Sequence, residues 1–268
     1  MMTAGKNKAI LAGAAWKMNK DLGQSLEYAG ELNRFCLKNI TDKDNIEVFF
    51  LPTYLPLYHM KDIVTAPSLK FGGQNCCWED EGAFTGEVSP AHLKDAGCTY
   101  VELGHAERRR IFGEDDRMLN MKVLAALRNG LKPILCIGEK EKHKDMQETF
   151  GFLKGQLLTG LKGVESERLG DVIIAYEPVW AIGAPESAPL DYTEDVLGFL
   201  RKLLKSHYGS EVSERQMIFY GGAVNPHTAP GILRLKHNDG IFIGRASLDI
   251  KYFIRLVEMA LEHSRRGE

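Results

Sequence analysis

The sequence predicts one α/β domain over residues 1–268, folded as an eightfold β/α barrel. Three observations lead there. Short apolar runs alternate with longer amphipathic stretches from one end of the chain to the other. Most of the runs are unbroken, as parallel strands buried on both faces require. The length of 268 residues is close to the ~250 that one such barrel uses.

Taken in order, the first strand is expected at Ala9–Gly13 and is followed by a helix over Leu26–Leu37. Leu26, Ala29, Leu32 and Phe35 fall there at helical spacing. Glu47–Leu51, Lys70–Gly73 and Tyr100–Leu103 supply strands two to four. A helical pattern at Met118–Leu127 leads to strand five at Pro133–Ile137, and another at Thr149–Leu161 leads to strand six at Val172–Tyr176. Thr193–Leu204 precedes strand seven at Met217–Tyr220, and Tyr252–Leu261 follows strand eight at Gly240–Ile243. There is no long linker and no low-complexity segment. An open, doubly wound sheet shares this periodicity, but no GxGxxG follows the first strand, which counts against it.

Bulk chemistry excludes several partners. Lys and Arg total 34 against 36 Asp and Glu, which gives no basic surface for nucleic acid or membrane headgroups. No apolar stretch approaches the ~20 residues of a membrane-spanning helix. The start, Lys6-Asn-Lys8 followed by Ala9–Trp16, faintly resembles a signal peptide. Its apolar run has only eight residues before Lys17, so a cytoplasmic protein is expected. Five scattered cysteines without CxxC or histidine partners give no zinc site and fit reduced thiols.

In α/β folds of this kind, function collects at the carboxyl ends of the strands. Those positions hold Lys17, Gln74-Asn75, His105, Glu177, Gly221-Gly222 and Gly244-Arg245. Each has a structural reading of its own. Lys17 could be a solvated lysine, His105 a helix start, Glu177 an arginine's partner and Gly221-Gly222 a tight turn. Together they are equipment for moving a proton beside a carbonyl on a phosphorylated substrate. Glycine amides can meet a phosphate, lysine offsets its charge, a carboxylate takes the carbon-bound proton and a histidine polarises the carbonyl.

Four strings then carry a resemblance: Trp16-Lys-Met-Asn19, Gly104-His-Ala-Glu-Arg-Arg109, Ala175-Tyr-Glu-Pro-Val-Trp-Ala-Ile-Gly183 and Tyr220-Gly-Gly-Ala-Val-Asn225. In this order they closely resemble the triosephosphate isomerase family, whose fold is the TIM barrel. Gly82-Ala-Phe-Thr-Gly-Glu-Val-Ser89, Pro133-Ile-Leu-Cys-Ile-Gly-Glu139 and Asp239-Gly-Ile-Phe-Ile-Gly244 extend the resemblance, which runs from about Ile10 to Leu261. It implies Glu177 as the base shuttling a proton between carbons, His105 as a neutral electrophile and Lys17 as the cation holding the substrate. Glu107 is implied beside the site. Pro178–Ala188 resembles a lid that excludes water from an enediolate. Gly183, Gly222, Ala223, Gly244 and Arg245 are implied as phosphate contacts, Tyr220 as the lid's latch, and Trp180 and Glu139 as supports. No metal or organic cofactor is implied. The loop around Thr85 resembles one that inserts into a second copy, so a homodimer is expected.

The departures gather at the ligand. Ala15 stands where the family has asparagine, Ala106 where it has serine, Ala223 where a serine hydroxyl meets phosphate, and Arg245 where a second glycine follows. The lid tip reads Gly183-Ala-Pro-Glu186 in place of Gly-Thr-Gly-Lys. Drift, lost catalysis and a changed substrate all compete as explanations. The chemical residues are retained while their surroundings change, which favours a changed substrate. The expectation is isomerisation of L-erythrulose 1-phosphate to D-erythrulose 4-phosphate, with the extra hydroxymethyl group beside Ala15. The alternative is ordinary interconversion of dihydroxyacetone phosphate and D-glyceraldehyde 3-phosphate. A phosphosugar-binding barrel without catalysis and an aldolase using Lys17 as a Schiff base are the readings of other classes.

Overall fold

The computed structural model describes residues 8–143 and 145–266. Eight parallel strands follow one another around a closed barrel. They are β1 (Ile10–Ala15), β2 (Ile46–Leu51), β3 (Leu69–Gly73), β4 (Tyr100–Leu103), β5 (Lys132–Ile137), β6 (Ile173–Tyr176), β7 (Met217–Tyr220) and β8 (Gly240–Ile243). Ladders from Leu11–Gly240 to Ala14–Ile243 join β1 to β8 and close the ring, which rules out the open sheet. The expected start, Lys6-Asn7, lies outside the described residues. The apolar run behind it is β1. Among the described residues, no helix is long and apolar enough to cross a membrane.

The helices are α1 (Leu22–Asn39), α2 (Leu57–Ile63), α3 (Pro90–Asp95), α4 (Ala106–Ile111), α5 (Asp116–Arg128), α6 (Met146–Gly160), α7 (Leu190–Tyr208), α8 (Ser210–Arg215), α9 (Ala229–Leu233) and α10 (Ile250–Arg266). Local chemistry sets their ends. Asp21 caps α1 through the Gln24 amide at 2.8 Å, and the Gln24 side chain returns to the Asp21 amide at 3.1 Å, a full capping box. Asp115 caps α5 through Met118. In α10, Phe253, Leu256, Val257, Ala260 and Leu261 form the buried stripe laid on the barrel. The five helices expected from periodicity are all present. The five shorter ones, of five to seven residues, are too brief to show a helical period.

Two cores follow from strand alternation. Val48, Val101, Leu103 and Ile174 face outward into the layer under the helices. Leu11, Phe49, Tyr100, Ile134, Ile173, Phe219 and Phe242 face inward. Inside, Phe49 packs on Tyr100, ring centres 4.8 Å apart, and Phe219 on Phe242 at 5.2 Å. This aromatic plug gives the mouth above it a rigid floor.

The first strand differs from expectation. It runs to Ala15, two residues beyond Gly13, with Ala14 and Ala15 registered against Phe50 and Leu51. Alanine has little strand preference of its own, but pairing with β2 on one side and β8 on the other carries the ladder onward. Ala15 therefore ends up on the barrel's inner face, at the mouth.

Candidate active site

Above the plug, the strand ends open onto a cavity of about 520 Å³. Lys17 enters it from β1. Its backbone is left-handed, φ 54°, a conformation that costs a residue bearing Cβ roughly 1–2 kcal/mol. Neighbours hold it there. Gln74 Nε2 donates to the carbonyls of Lys17 (2.8 Å) and Leu51 (2.9 Å), and Asn19 Nδ2 donates to that of Trp16 (2.6 Å). Local strain fixed by surrounding hydrogen bonds is common where a side chain must be aimed. The Lys17 ammonium reaches Glu107 Oε1 at 2.8 Å.

His105 follows β4 and caps α4. The Glu107 amide donates to its Nδ1 at 3.1 Å, so a neutral ring carries its proton on Nε2. Burial, and after it the nearby Lys17 charge, lower the imidazole to about 4, with Glu107 pulling the other way. His105 is thus a neutral donor at any ordinary pH. Glu107 feels the same burial, which raises it, but the Lys17 hydrogen bond leaves it below the ordinary carboxylate range.

Glu177 follows β6, its amide bonded to the Ile137 carbonyl at 2.8 Å. Gly138 makes room for it, since a Cβ there would fall 1.8 Å from the Glu177 carbonyl oxygen. The carboxyl is buried, and Oε2 has no hydrogen-bond partner. Burial pushes it up to about 8, with Lys17 opposing. A carboxyl kept from water beside a cation is tuned towards proton transfer near neutrality. One further group shares the space. Glu102 on β4 lines the same cavity. Single oxygen or nitrogen atoms of Glu102, His105 and Glu177 lie within 4.8 Å of one another. That spacing could hold a cation, but the Lys17 ammonium repels one.

The other wall is lined by glycines and loop backbone. Gly222 and Ala223 after β7 and Gly244 and Arg245 after β8 line the cavity, as does Gly183 from Pro178–Ala188. The amides of Gly183, Gly222 and Ala223 donate to no group among the described residues. Three free donors facing one cavity suit a phosphate. The Arg245 guanidinium crosses towards Gly183, with Nη2 3.2 Å from where a Cβ there would lie. The left-handed φ of 74° at Gly183 also requires glycine.

Tyr220, Trp180 and Glu139 do not line the cavity. The Tyr220 hydroxyl accepts from the Ala188 amide at 2.9 Å, holding one end of the Pro178–Ala188 segment. At its other end, Trp180 Nε1 donates to the fully buried Glu139 at 2.7 Å, and Tyr176 and Tyr192 donate to the same carboxylate. Thr85 sits apart, exposed in the loop before α3.

The sequence by itself assigns no role to Asn19 or Glu102, and none to Gln74 beyond its place at a strand end. Gln74 had only its strand-end position as a signal. Glu102 had a clearer one, as a carboxylate among apolar neighbours with the inward parity of Tyr100.

The Triosephosphate isomerase family model matches residues 10–260. The chain is 39% identical over 243 residues to "Triosephosphate isomerase" of Syntrophotalea carbinolica, covering 91% of this chain and 95% of that one. It is 38% identical over 250 residues to the protein of that name in Alkaliphilus oremlandii, covering 93% and 98%. A Dictyoglomus thermophilum relative of the same name is 39% identical over 245 residues, covering 91% and 97%. With a closed eightfold barrel and a match running nearly end to end, the chain belongs to the triosephosphate isomerase family and is an isomerase of that type.

Proposed function

We propose that Glu177 and His105 move a carbonyl between adjacent carbons of a small ketose phosphate through an enediolate. The observation that carries this is the buried Glu177 carboxyl, its Oε2 without a partner and one of its oxygens within 4.8 Å of a ring nitrogen of His105, whose proton in the neutral form is on Nε2. Glu177 removes a proton from the carbon beside the carbonyl and returns it to the neighbouring carbon. His105 donates to the carbonyl oxygen as charge develops, and Lys17 balances the anion. The phosphate sits against the amides of Gly183, Gly222 and Ala223, with Gly244 and Arg245 beside them. Pro178–Ala188 covers it. This family is itself a standing illustration of such pKa tuning and lid closure.

For the substrate, the relatives' shared name supports the triose reading, dihydroxyacetone phosphate to D-glyceraldehyde 3-phosphate. It gives no support to the tetrulose expectation. One observation keeps L-erythrulose 1-phosphate as a second reading: Ala15 faces the cavity with a methyl group, leaving room and no donor at that wall. We also infer a cytoplasmic homodimer. Five buried free thiols fit a reducing compartment, and the Gly82–Ser89 loop, exposed over 82–87, fits a subunit contact.

Replacing Glu177 with Gln tests the base. Turnover of the true substrate is expected to fall at least ~10²–10⁴-fold while phosphate-bearing inhibitors still bind. Retention of most activity would refute the assignment. A panel of dihydroxyacetone phosphate and L-erythrulose 1-phosphate decides between the readings. Under the tetrulose reading kcat/KM is higher for the four-carbon sugar, and Ala15→Asn moves the ratio towards the triose. Equal or better triose turnover by the unmutated chain leaves the triose reading alone.

A further inference from the structure

Glu102 belongs to β4, where Tyr100 faces the barrel interior and Val101 and Leu103 face the helices. Alternation turns Glu102 inward, one layer above Tyr100, at the floor of the cavity. It is almost fully buried, 4% exposed. Its one hydrogen bond among the described residues is weak, from Cys136 Sγ to Oε1 at 3.8 Å. Its second oxygen, Oε2, has none. A carboxyl at this depth with so little internal support does little for the fold. Burying one without partners costs stability. Its position among the proton-carrying groups supplies the missing reason.

We propose that Glu102 is a substrate-facing, specificity-determining residue, held as a neutral carboxylic acid that donates a hydrogen bond to an oxygen at the substrate's non-phosphorylated end. The proposal rests on the isomerase reading of Glu177 and His105 and extends it. The phosphate-binding amides occupy the wall formed by the lid and the ends of β7 and β8. The reacting carbons therefore lie towards Glu177 and His105, and Glu102 shares their immediate space. At that end Ala15 offers a methyl group and no donor, so an oxygen there needs a donor from elsewhere on the wall.

The charges around Glu102 support a bound proton. Lys17 from β1 favours its ionised form. Glu107 on α4 and Glu177 beyond β6 oppose it, and the His105 ring is neutral. Cys136 on β5 is a protonated thiol, and Arg109 is turned to the carbonyls of Gly104 and Cys136. Burial is the largest influence and raises Glu102 well above the carboxylate range, with repulsion from Glu177 next. Two buried carboxyls this close cannot both ionise. Lys17 favours the anion at both, and Arg109 adds to it at Glu177, so the anion falls to Glu177 and the proton to Glu102. A carboxylic acid kept neutral by its site is a strong donor.

The test compares Glu102→Leu, which removes the donor, with Glu102→Gln, which keeps a neutral one. Each is assayed for kcat and KM on dihydroxyacetone phosphate and L-erythrulose 1-phosphate, with kcat/KM followed from pH 5 to 10. On the substrate the unmutated enzyme prefers, Glu102→Leu is expected to lose about 10- to 100-fold in kcat/KM, the worth of a hydrogen bond to a reacting or charged group. Glu102→Gln should stay within about fivefold of the unmutated enzyme on that scale. Its acid limb should keep the same midpoint, because a neutral group replaces a neutral group. Full activity in Glu102→Leu overturns the proposal. So does a downward shift of the limb by a whole pH unit in Glu102→Gln, since Glu102 would then carry charge. If Glu102→Leu fails to fold, the Glu102→Gln limb decides alone. Absence of turnover on both sugars by the unmutated enzyme defeats the underlying isomerase reading and is distinguishable from either result.

Discussion

The chemistry at the residue scale is a division of one small space into groups that hold protons and groups that do not. Burial acts on Glu177 and His105 with opposite consequences, raising the acid and lowering the base. The working forms, a carboxylate and a neutral imidazole, set the sign of the pH dependence. As the proposed base, Glu177 would take a proton from carbon only when ionised, so kcat/KM is expected to fall as pH drops through about 8. His105 takes up a second proton and a charge only on approaching about 4, so it adds no limb at neutral pH. Steady-state kinetics from pH 5 to 10 check this, and a flat profile across that range would contradict it. Lys17, His105 and Glu177 could be picked out in the sequence because each is an unusual residue type at a strand's end. Gln74 could be placed at a strand end but given no role, because its work is to hold the Lys17 carbonyl from two strands away.

Among the elements, the Pro178–Ala188 segment is tied at both ends by side chains from elsewhere. Trp180 is held by Glu139 after β5, and Ala188 by Tyr220 at the end of β7. The two anchors differ in kind. The Glu139 carboxylate gathers three donors and is fixed, whereas the Tyr220 hydroxyl accepts a single bond from one amide. Removing that single bond loosens the segment's far end and leaves the barrel intact. Tyr220→Phe should lower kcat/KM about two- to tenfold, the worth of one neutral hydrogen bond, with an unchanged far-ultraviolet circular dichroism spectrum. Activity equal to the unmutated enzyme would show that the latch does not matter. The five longer helices were legible from their apolar stripes. The short ones were not, because caps and neighbours define them and periodicity does not.

For the whole molecule, the barrel leaves apolar side chains exposed on the loops that follow its first three strands. Met18 after β1 is 92% exposed, Leu55 after β2 is 87% exposed, and Phe84 after β3 lies beside Thr85 in the Gly82–Ser89 loop. Large apolar groups on the loops after three neighbouring strands suit an interface that a second copy covers with the same surface. Light scattering at micromolar concentration should give twice the mass of one chain, and Thr85→Arg should shift the equilibrium towards monomer. A fully active monomer would rule the dimer out.

The sequence by itself determined the fold class, the order of the strands and which strand ends carry titratable side chains. Unbroken apolar runs at regular intervals can bury both faces only in a parallel sheet covered by helices, and strand ends locate the chemistry. What the tertiary structure decided depends on distance through space. Closure of β1 onto β8 distinguishes a barrel from an open sheet, and pairing with β2 and β8 carries β1 on to place Ala15 at the mouth. The turn of Arg245 towards Gly183 was likewise undecided until the two loops faced each other. Glu102 is the clearest case. In the chain it is one acidic residue in a short apolar run. Only the closed barrel brings it beside Glu177, 75 positions away by residue number, where its neighbour's charge opposes its ionisation.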